Sequence, residues 1–268
     1  MRGSLFVKEL KQYRASFLVW SLTIIGLTVA TMAAMPVLLS NSAGMSAFLK
    51  AFPPEMMRAF SFSLSSLADP LGFYVVYSTI YVILMGSVFS ISITAGILHK
   101  EQSLGTAEFL LAKPLTRAQI SLTKIAAYLA LVFALNVLTF LTAWLCLKGF
   151  SPLPFRLDAL AIVSVYGLLL MLAMGGIGLL VSLFVKRSRS LTGPAIGIVL
   201  GFYLIDMAAK ITSKYEAYGW MSPFKWVDLD VTRAGYGFDW WRLAMFASLI
   251  LAGFAASVLV YREKDILT

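Results

Sequence analysis

The chain has 268 residues, of which 60% are hydrophobic and 13% are charged, with a formal net charge of +9. A soluble globular domain carries about 25% charged residues. Several apolar stretches here exceed the roughly 18 residues that can cross a bilayer as a helix. The composition therefore excludes a soluble domain, and the roughly ten-residue alternating segments of a transmembrane β-barrel are missing. We expect an all-α integral membrane protein, with one transmembrane domain over residues 1–268.

The N-terminal residues 4–16 mix apolar side chains such as Leu5 and Leu10 with charged ones such as Lys8, Glu9 and Lys11. This pattern predicts an amphipathic helix that lies on the cytoplasmic face of the membrane. A simple basic anchor for orientation is the alternative. A cleavable signal peptide is not expected, because the apolar run that follows is too long and no small-residue cleavage site comes after it.

Six apolar segments predict six transmembrane helices. They cover residues 17–39, 71–98, 125–147, 159–185, 191–209 and 243–261. Six crossings put both termini on one side of the membrane. More than half of the 22 Lys and Arg residues lie at the termini and in the loops on their side, at roughly twice the density of the opposite loops. We therefore place both termini in the cytoplasm. The basic residues are dispersed, which argues against nucleic acid as a partner.

Two loops on the outer side carry their own helix signals. Residues 41–69 read as two short amphipathic pieces split by Pro53 and Pro54, and residues 211–242 are dense in aromatic side chains. Aromatic residues at this density favour the lipid headgroup level. We expect short interfacial or re-entrant helices in both loops, and a plain aromatic belt is the alternative.

The second predicted span contains more hydroxyl groups than contact with lipid requires. Hydrogen bonding between helices is one explanation. The other is a polar-lined transport route, for which the candidate residues are Tyr77, Tyr81, Ser90 and Thr94.

The segment 100–117 interrupts the apolar sequence with helix-punctuating residues. Thr106 is a candidate N-cap, Glu108 suits the first turn of a helix, and Pro114 ends that helix after about seven residues. So short a helix is not stable alone, so it must be held by a contact. Thr116 and Gln119 form a T-x-x-Q capping box, which predicts that a new helix begins there and runs into the third span.

Apolar side chains occur on two faces of this short helix. Ala107, Leu110 and Leu111 share one face, whereas Phe109 points the other way beside Lys113. An element of this kind can lie between a membrane bundle and a second protein.

Residues that could perform catalysis are scarce. The chain has one histidine, His99, and one cysteine, Cys146, which we expect to be an apolar core residue. Asp206 and Lys210 predict a local ion pair near an outer helix end. No G-x-x-x-x-G-K-[ST] phosphate loop is present, so we expect no ATP hydrolysis by this chain alone. The sequence indicates no catalytic, cofactor-binding or metal-binding residue, and it lacks the buried charges of an ion-coupled carrier.

Glycines in the fourth and fifth spans predict close helix approach. Gly193, Gly197 and Gly201 are spaced four apart and share one face of the fifth span. That face serves either packing within the subunit or a subunit interface. In the fourth span, glycines 175, 176 and 178 permit a similar approach.

The segment after the second span resembles the permease subunits of ABC transporters, specifically the type-two exporter family. The residues that match the family pattern are Glu101, Gly105, Thr106, Leu110, Leu111, Pro114, Arg117 and Lys124. Gln102 stands where the family often has a second acid. The basic N-terminus, the six spans and the sequence SPFKW at 222–226 extend the resemblance over the whole chain.

The resemblance implies a bacterial or archaeal cell-membrane protein that pairs as a homodimer or heterodimer and binds a separate cytoplasmic ATP-binding subunit, which holds ATP and Mg. The short helix would then be the coupling helix that docks on this ATPase. Its candidate coupling residues are Glu101, Gly105, Thr106, Glu108, Phe109, Leu110, Leu111, Pro114 and Arg117.

The expected function is outward transport of an amphipathic substrate such as a drug, a peptide antibiotic or a lipid-like molecule. The alternative is a mechanical transmitter or sensor that passes ATPase motion to an outer partner. Outer loops of only about 30 residues favour export, because a transmitter is expected to carry a long outer domain.

Overall fold

The computed structural model describes residues 2–40, 53–60, 64–97, 116–151, 153–184 and 192–263, and each regular element in these ranges is helical. The first half contains α1 (Arg2–Ser40), α2 (Pro54–Ala59), α3 (Leu64–Ala68), α4 (Pro70–Ser78), a π-helix (Thr79–Met85) and α5 (Gly86–Ile97). The second half contains α6 (Arg117–Phe150), α7 (Leu157–Phe184), α8 (Thr192–Ile211), two 3₁₀ helices (Ser213–Met221 and Pro223–Trp226) and α9 (Trp240–Glu263).

Six of the helical stretches are long and apolar enough to cross a membrane, which confirms the predicted number of spans. They are α1, the composite of α4, the π-helix and α5, and then α6, α7, α8 and α9. We call the end of this bundle that holds the start of α1 the N-terminal end, and the opposite one the far end.

The N-terminal segment differs from the expectation of a separate interfacial helix. Residues 4–16 and the first span form one continuous helix, α1, with no helix end between them. No proline or glycine stands between Ser4 and Leu22, so nothing in the local sequence stops the helix. Glu9, which the amphipathic pattern assigns to the polar face, is fully buried. The reason is that α1 packs extensively along α6. Residues of α1 that would face water beside a flat membrane are therefore covered by the bundle.

The second and fourth spans form the centre of the bundle. In their most apolar windows 72% and 56% of the residues are buried, against 17% for the sixth span. The fourth span, α7, contacts α5, α6 and α9. The second span changes from α-helix to π-helix between Thr79 and Met85, a feature that the sequence pattern did not predict. A wider π turn locally shifts the helix register within this central span.

The loop at the far end is anchored to α8 and α9 by aromatic packing and hydrogen bonds. The ring of Trp226 stands edge-on to Phe246 of α9, with centroids 5.3 Å apart, and its indole N–H donates to the carbonyl of Trp220 at 2.9 Å. Ser222 Oγ donates to the carbonyl oxygen of Phe202 in α8 at 2.7 Å. The short helices expected in residues 211–242 are thus present as two 3₁₀ helices.

The other loop at this end is described only in part. Its short helices, α2 and α3, both follow Pro53, and the predicted piece before Pro53 lies outside the described residues.

Two smaller predictions about single residues are confirmed. Lys210 Nζ lies 2.7 Å from the Asp206 carboxylate, one helical turn away. Cys146 is 6% exposed and packs in the apolar core with Leu147 and Leu160.

Candidate functional site

The third spanning helix begins with the predicted capping box. Thr116 is the N-cap, and its Oγ1 accepts a hydrogen bond from the backbone N–H of Gln119 at 3.2 Å. The Gln119 side chain in turn accepts one from the backbone N–H of Thr116 at 3.3 Å. Two backbone donors at the helix start are satisfied by this exchange. The capping box fixes where α6 begins, with Arg117 half-buried as the first residue of the helix.

A fully buried lysine connects α5 and α6, the two helices on either side of residues 98–115. Lys124 in α6 donates from Nζ to the carbonyl oxygen of Ile97, the last residue of α5, at 2.6 Å. A buried ammonium group is costly unless it is hydrogen-bonded, so this bond ties α6 to α5 inside the bundle.

The sequence did not predict this contact. Lys124 was expected only as one of the residues that carry the family resemblance. The available signal was its position on a mostly apolar face, which it shares with Ile120, Ile125 and Tyr128. The partner could not be named, because Ile97 lies 27 residues earlier in the chain.

We call the contact of Ile97 with the first turns of α6 (residues 117–124) the corner. The N-terminal part of α1 packs against this corner. Leu5 belongs to the same core cluster as Ile97 and Ile120, and Leu10 and Tyr13 pack against that cluster. The apolar face predicted for residues 4–16 is therefore used for packing within the bundle.

Most of the predicted coupling residues are not in the part of the chain that the structure describes. Glu101, Gly105, Thr106, Glu108, Phe109, Leu110, Leu111 and Pro114 lie outside the described residues, as does His99. Their coupling role stays a prediction, and the structure supplies the geometry of the two helix ends on either side.

A polar contact joins three central helices in the middle of the bundle. Ser90 Oγ of α5 and the Tyr128 hydroxyl of α6 lie 2.6 Å apart, and both groups hydrogen-bond to the carbonyl oxygen of Met171 in α7. Each of the two side chains is at most 1% exposed. Hydroxyl groups in this setting act as helix-to-helix connections.

The four candidate residues for a transport route fall into two groups. Ser90 and Thr94 are fully buried between helices, and Thr94 Oγ1 bonds back to the carbonyl of Ser90 at 3.1 Å. Tyr77 and Tyr81 lie at the π-helix, one just before it and one inside it, and the ring of Tyr77 is tilted by 47° against that of Phe73, with centroids 4.7 Å apart. Helix-to-helix bonding is thus present at Ser90, and a polar-lined route stays a prediction.

Glycines allow α7 to approach its neighbours closely. A Cβ atom added at Gly253 of α9 would lie 2.6 Å from the Cα of Gly176, so the two backbones touch. A Cβ at Gly175 would overlap the Tyr128 hydroxyl, and one at Gly178 would overlap Thr94 Oγ1. The close approach predicted for the fourth span is therefore present on two sides of α7.

The glycine face of the fifth span is open. Within the described part of the chain, a Cβ at Gly193, Gly197 or Gly201 would meet no heavy atom within 4 Å. Gly193 and Gly197 are exposed. Of the two hypotheses for this face, packing inside the subunit has no contact to support it among the described residues, whereas a subunit interface is compatible with the exposure.

Comparison with known proteins gives one family. A family model described as ABC-2 family transporter protein matches residues 4–265. A search of curated proteins found no match.

Proposed function

Because this chain belongs to the ABC-2 family of transporter proteins, we propose that it is the membrane-spanning permease of an ATP-driven exporter. The family and the six apolar helices make it a multi-pass membrane subunit of a transporter, with an ATP-binding partner as the general rule for the family. The proposal adds three points: coupling through residues 100–117, outward transport of an amphipathic substrate, and assembly as a dimer with both termini in the cytoplasm of a bacterial or archaeal cell.

The family match over residues 4–265 is the observation that carries the proposal. The corner around residues 97–124 supports its first point. A docking element transmits force only if it is attached to something stiff. The Thr116 capping box fixes the start of α6, and the hydrogen bond from Lys124 to Ile97 ties α6 to α5. A push on the segment would be passed to α5 and α6 together, and α5 and α6 are both in contact with the central α7.

The glycine face of α8 supports the dimer. Glycine faces allow close backbone approach between helices in a membrane. The face formed by Gly193, Gly197 and Gly201 has no contact within 4 Å in the described chain, so a second permease copy or a homologous permease can pack there.

We expect Phe109→Asp to weaken docking of the ATP-binding subunit by a few kcal/mol, because an unpaired charge would enter an apolar socket. Leu111→Asp is expected to destabilise the permease itself, because the helical spacing puts Leu111 on the face that we expect to rest on the bundle. The measurement is co-purification of the ATP-binding subunit with each variant, beside the thermal stability of the permease. Phe109→Leu is the control, since it keeps the side chain apolar.

Unchanged ATPase binding by both Asp variants would rule out residues 106–113 as the docking element. The direction of transport is tested separately, by following ATP-dependent movement of fluorescent amphipathic compounds in vesicles that contain the permease and its ATPase. A complex that hydrolyses ATP and moves no compound of this class would favour the mechanical transmitter instead.

A further inference from the structure

A cavity of about 340 Å³ lies at the far end, between the last turn of α8, the second 3₁₀ helix with the residues after it, and the first turn of α9. Its walls include the cationic side chains of Lys210, Lys225 and Arg242 and the apolar side chains of Phe224 and Leu229. We call it the far-end pocket. None of the residues that line this pocket belongs to the corner or to the hydrogen bonds around Ser90.

Ion pairs hold the three cationic side chains in position and leave some of their N–H groups available for a further acceptor. Lys210 is held by the buried Asp206, Lys225 Nζ lies 3.6 Å from Glu216, and Arg242 Nε lies 3.2 Å from Asp239. Glu216 and Asp239 are 64% and 45% exposed, whereas the side chains of Lys225 and Arg242 are 20% and 19% exposed. Exposed pairs of this kind contribute little, so a stronger acceptor inside the pocket can compete with both carboxylates.

The Arg242 guanidinium is fixed in position. One terminal nitrogen donates to the carbonyl oxygen of Lys225 at 3.3 Å, and the group lies 6.0 Å from the centre of the Trp220 ring. A guanidinium has five N–H donors in a planar fork, which matches the geometry of a phosphate. Lys225 adds an ammonium whose three donors rotate freely.

Two carboxylates, Asp228 and Asp230, also line the pocket. Asp230 is exposed, and it accepts a hydrogen bond from Thr232 Oγ1 at 3.2 Å. Asp228 is 5% exposed and pairs with Arg233 at 2.7 Å, and it also accepts the backbone N–H of Asp230 at 3.2 Å. The Tyr236 hydroxyl donates to the carbonyl oxygen of Asp228 at 2.7 Å. Burial raises the pKa of Tyr236, so the hydroxyl stays protonated as a donor at neutral pH. The charge of Asp228 is thus compensated by Arg233, and the three cationic side chains outnumber the remaining lining carboxylate, Asp230.

Two spanning helices end at the pocket, so we expect it to lie near the boundary between membrane and water. Lys210 is in the last turn of a spanning helix and Arg242 in the first turn of the next one. Trp220, Trp240 and Trp241 beside it are 38%, 81% and 67% exposed. Exposed tryptophans at the ends of spanning helices lie at the lipid headgroup level.

From this geometry we infer that the far-end pocket binds the phosphate group of a phospholipid headgroup. Arg242 and Lys225 hold the phosphate oxygens, Lys210 adds positive charge, and Phe224 and Leu229 contact the glycerol end of the lipid. Binding needs neither ATP nor a partner subunit, so this inference can fail without affecting the proposed exporter function, and the converse also holds.

The test uses the purified full-length chain in a neutral, phosphate-free detergent. Dioleoyl phosphatidylglycerol is titrated, bound lipid is counted by native mass spectrometry, and the apparent melting temperature is followed. Dioleoylglycerol, which has the same acyl chains and no phosphate, is the matched lipid. We expect phosphatidylglycerol to bind and stabilise the chain, and Lys225→Gln or Arg242→Gln to weaken binding about tenfold, the effect of losing one charge-assisted hydrogen bond.

Two controls separate loss of the site from loss of the fold. Lys214→Gln removes a nearby exposed lysine that does not line the pocket, and it should bind as the unmodified chain does. Lys225→Arg keeps the charge and should retain binding. Equal affinity for dioleoylglycerol, or unchanged phosphatidylglycerol binding by both Gln variants, would overturn the inference.

Inorganic phosphate tests whether the ligand of the pocket is the phosphate of a lipid or free phosphate. At millimolar concentration it should displace bound phosphatidylglycerol from the pocket, which supports the site. Stabilisation by inorganic phosphate together with no measurable phosphatidylglycerol binding would make free phosphate the ligand and overturn the lipid assignment.

Discussion

At the scale of single residues, the bundle depends on a few groups whose role is set by a distant partner. Lys124 is fully buried on a mostly apolar face of α6, and its Nζ donates to the carbonyl oxygen of Ile97 in α5. A buried ammonium is costly unless it is hydrogen-bonded, so the contact is needed by both helices.

We expect Lys124→Met to lower the stability of the permease by about 1–3 kcal/mol, because the buried carbonyl of Ile97 would lose its charged donor. Methionine keeps the length and the apolar stem of the side chain. The measurement is the apparent melting temperature in detergent, compared with Lys148→Met, which alters an exposed lysine of the same helix. Equal melting temperatures for the two variants would contradict the role given to Lys124.

A second residue-scale prediction concerns the contact between Gly253 and Gly176. Gly253→Ala would place a methyl group 2.6 Å from a backbone atom, so α7 and α9 must separate. Overpacking of this kind costs about 1–3 kcal/mol. Gly167→Ala on α7, where no heavy atom lies within 4 Å among the described residues, is the matched control and should leave the melting temperature nearly unchanged. A stability for Gly253→Ala equal to that of the control would show that the helices can move apart freely.

At the scale of helices, local sequence signals determine some features and packing between helices determines others. Thr116 and Gln119 start α6 by a contact that spans three residues, and this start was predictable. The continuity of α1 was not, because a helix with an amphipathic beginning can either lie on a membrane or pack on a bundle. The contact between α1 and α6 selects the second arrangement.

We predict that the open glycine face of α8 forms contacts between subunits. In a Cys146→Ala background, Gly193→Cys should form a disulfide-linked dimer under mild oxidation, whereas Phe133→Cys, an exposed position of α6, should not. Adding Gly197→Leu should reduce the crosslink, because a large side chain would hold the helices apart. Crosslinking to the same extent at both cysteine positions, or at neither, would place the subunit interface elsewhere.

At the scale of the whole molecule, the central helices connect the corner formed by Ile97 and the first turns of α6 to the rest of the bundle. α5 leaves the corner and contacts α7, and α7 contacts α9 through the glycine pair. The interior hydrogen bonds of Ser90 and Tyr128 to Met171 join α5, α6 and α7 at one point. A movement of the corner would therefore reach α7 by direct contact, and α9 through α7.

We expect the purified chain to hydrolyse no ATP by itself, because its sequence contains no phosphate-binding loop. Phosphate release should appear only when the ATP-binding subunit is added. A variant of that subunit without its phosphate-loop lysine controls for contaminating hydrolases. ATP hydrolysis that purifies with the permease alone would contradict its assignment as a separate membrane subunit.

The sequence by itself determined the six spanning helices, the capping box at Thr116, the ion pair of Asp206 with Lys210 and the short helices of the far-end loop. Each of these depends on hydrophobic length or on partners within about one helical turn, and such information is local in the chain. Only the tertiary structure decided that Lys124 bonds to Ile97, that Gly253 touches Gly176, and that Lys225 and Arg242 face one pocket. These contacts join residues that are far apart in sequence. A glycine or a lysine in an apolar helix fits several neighbours equally well until the packing of whole helices selects one.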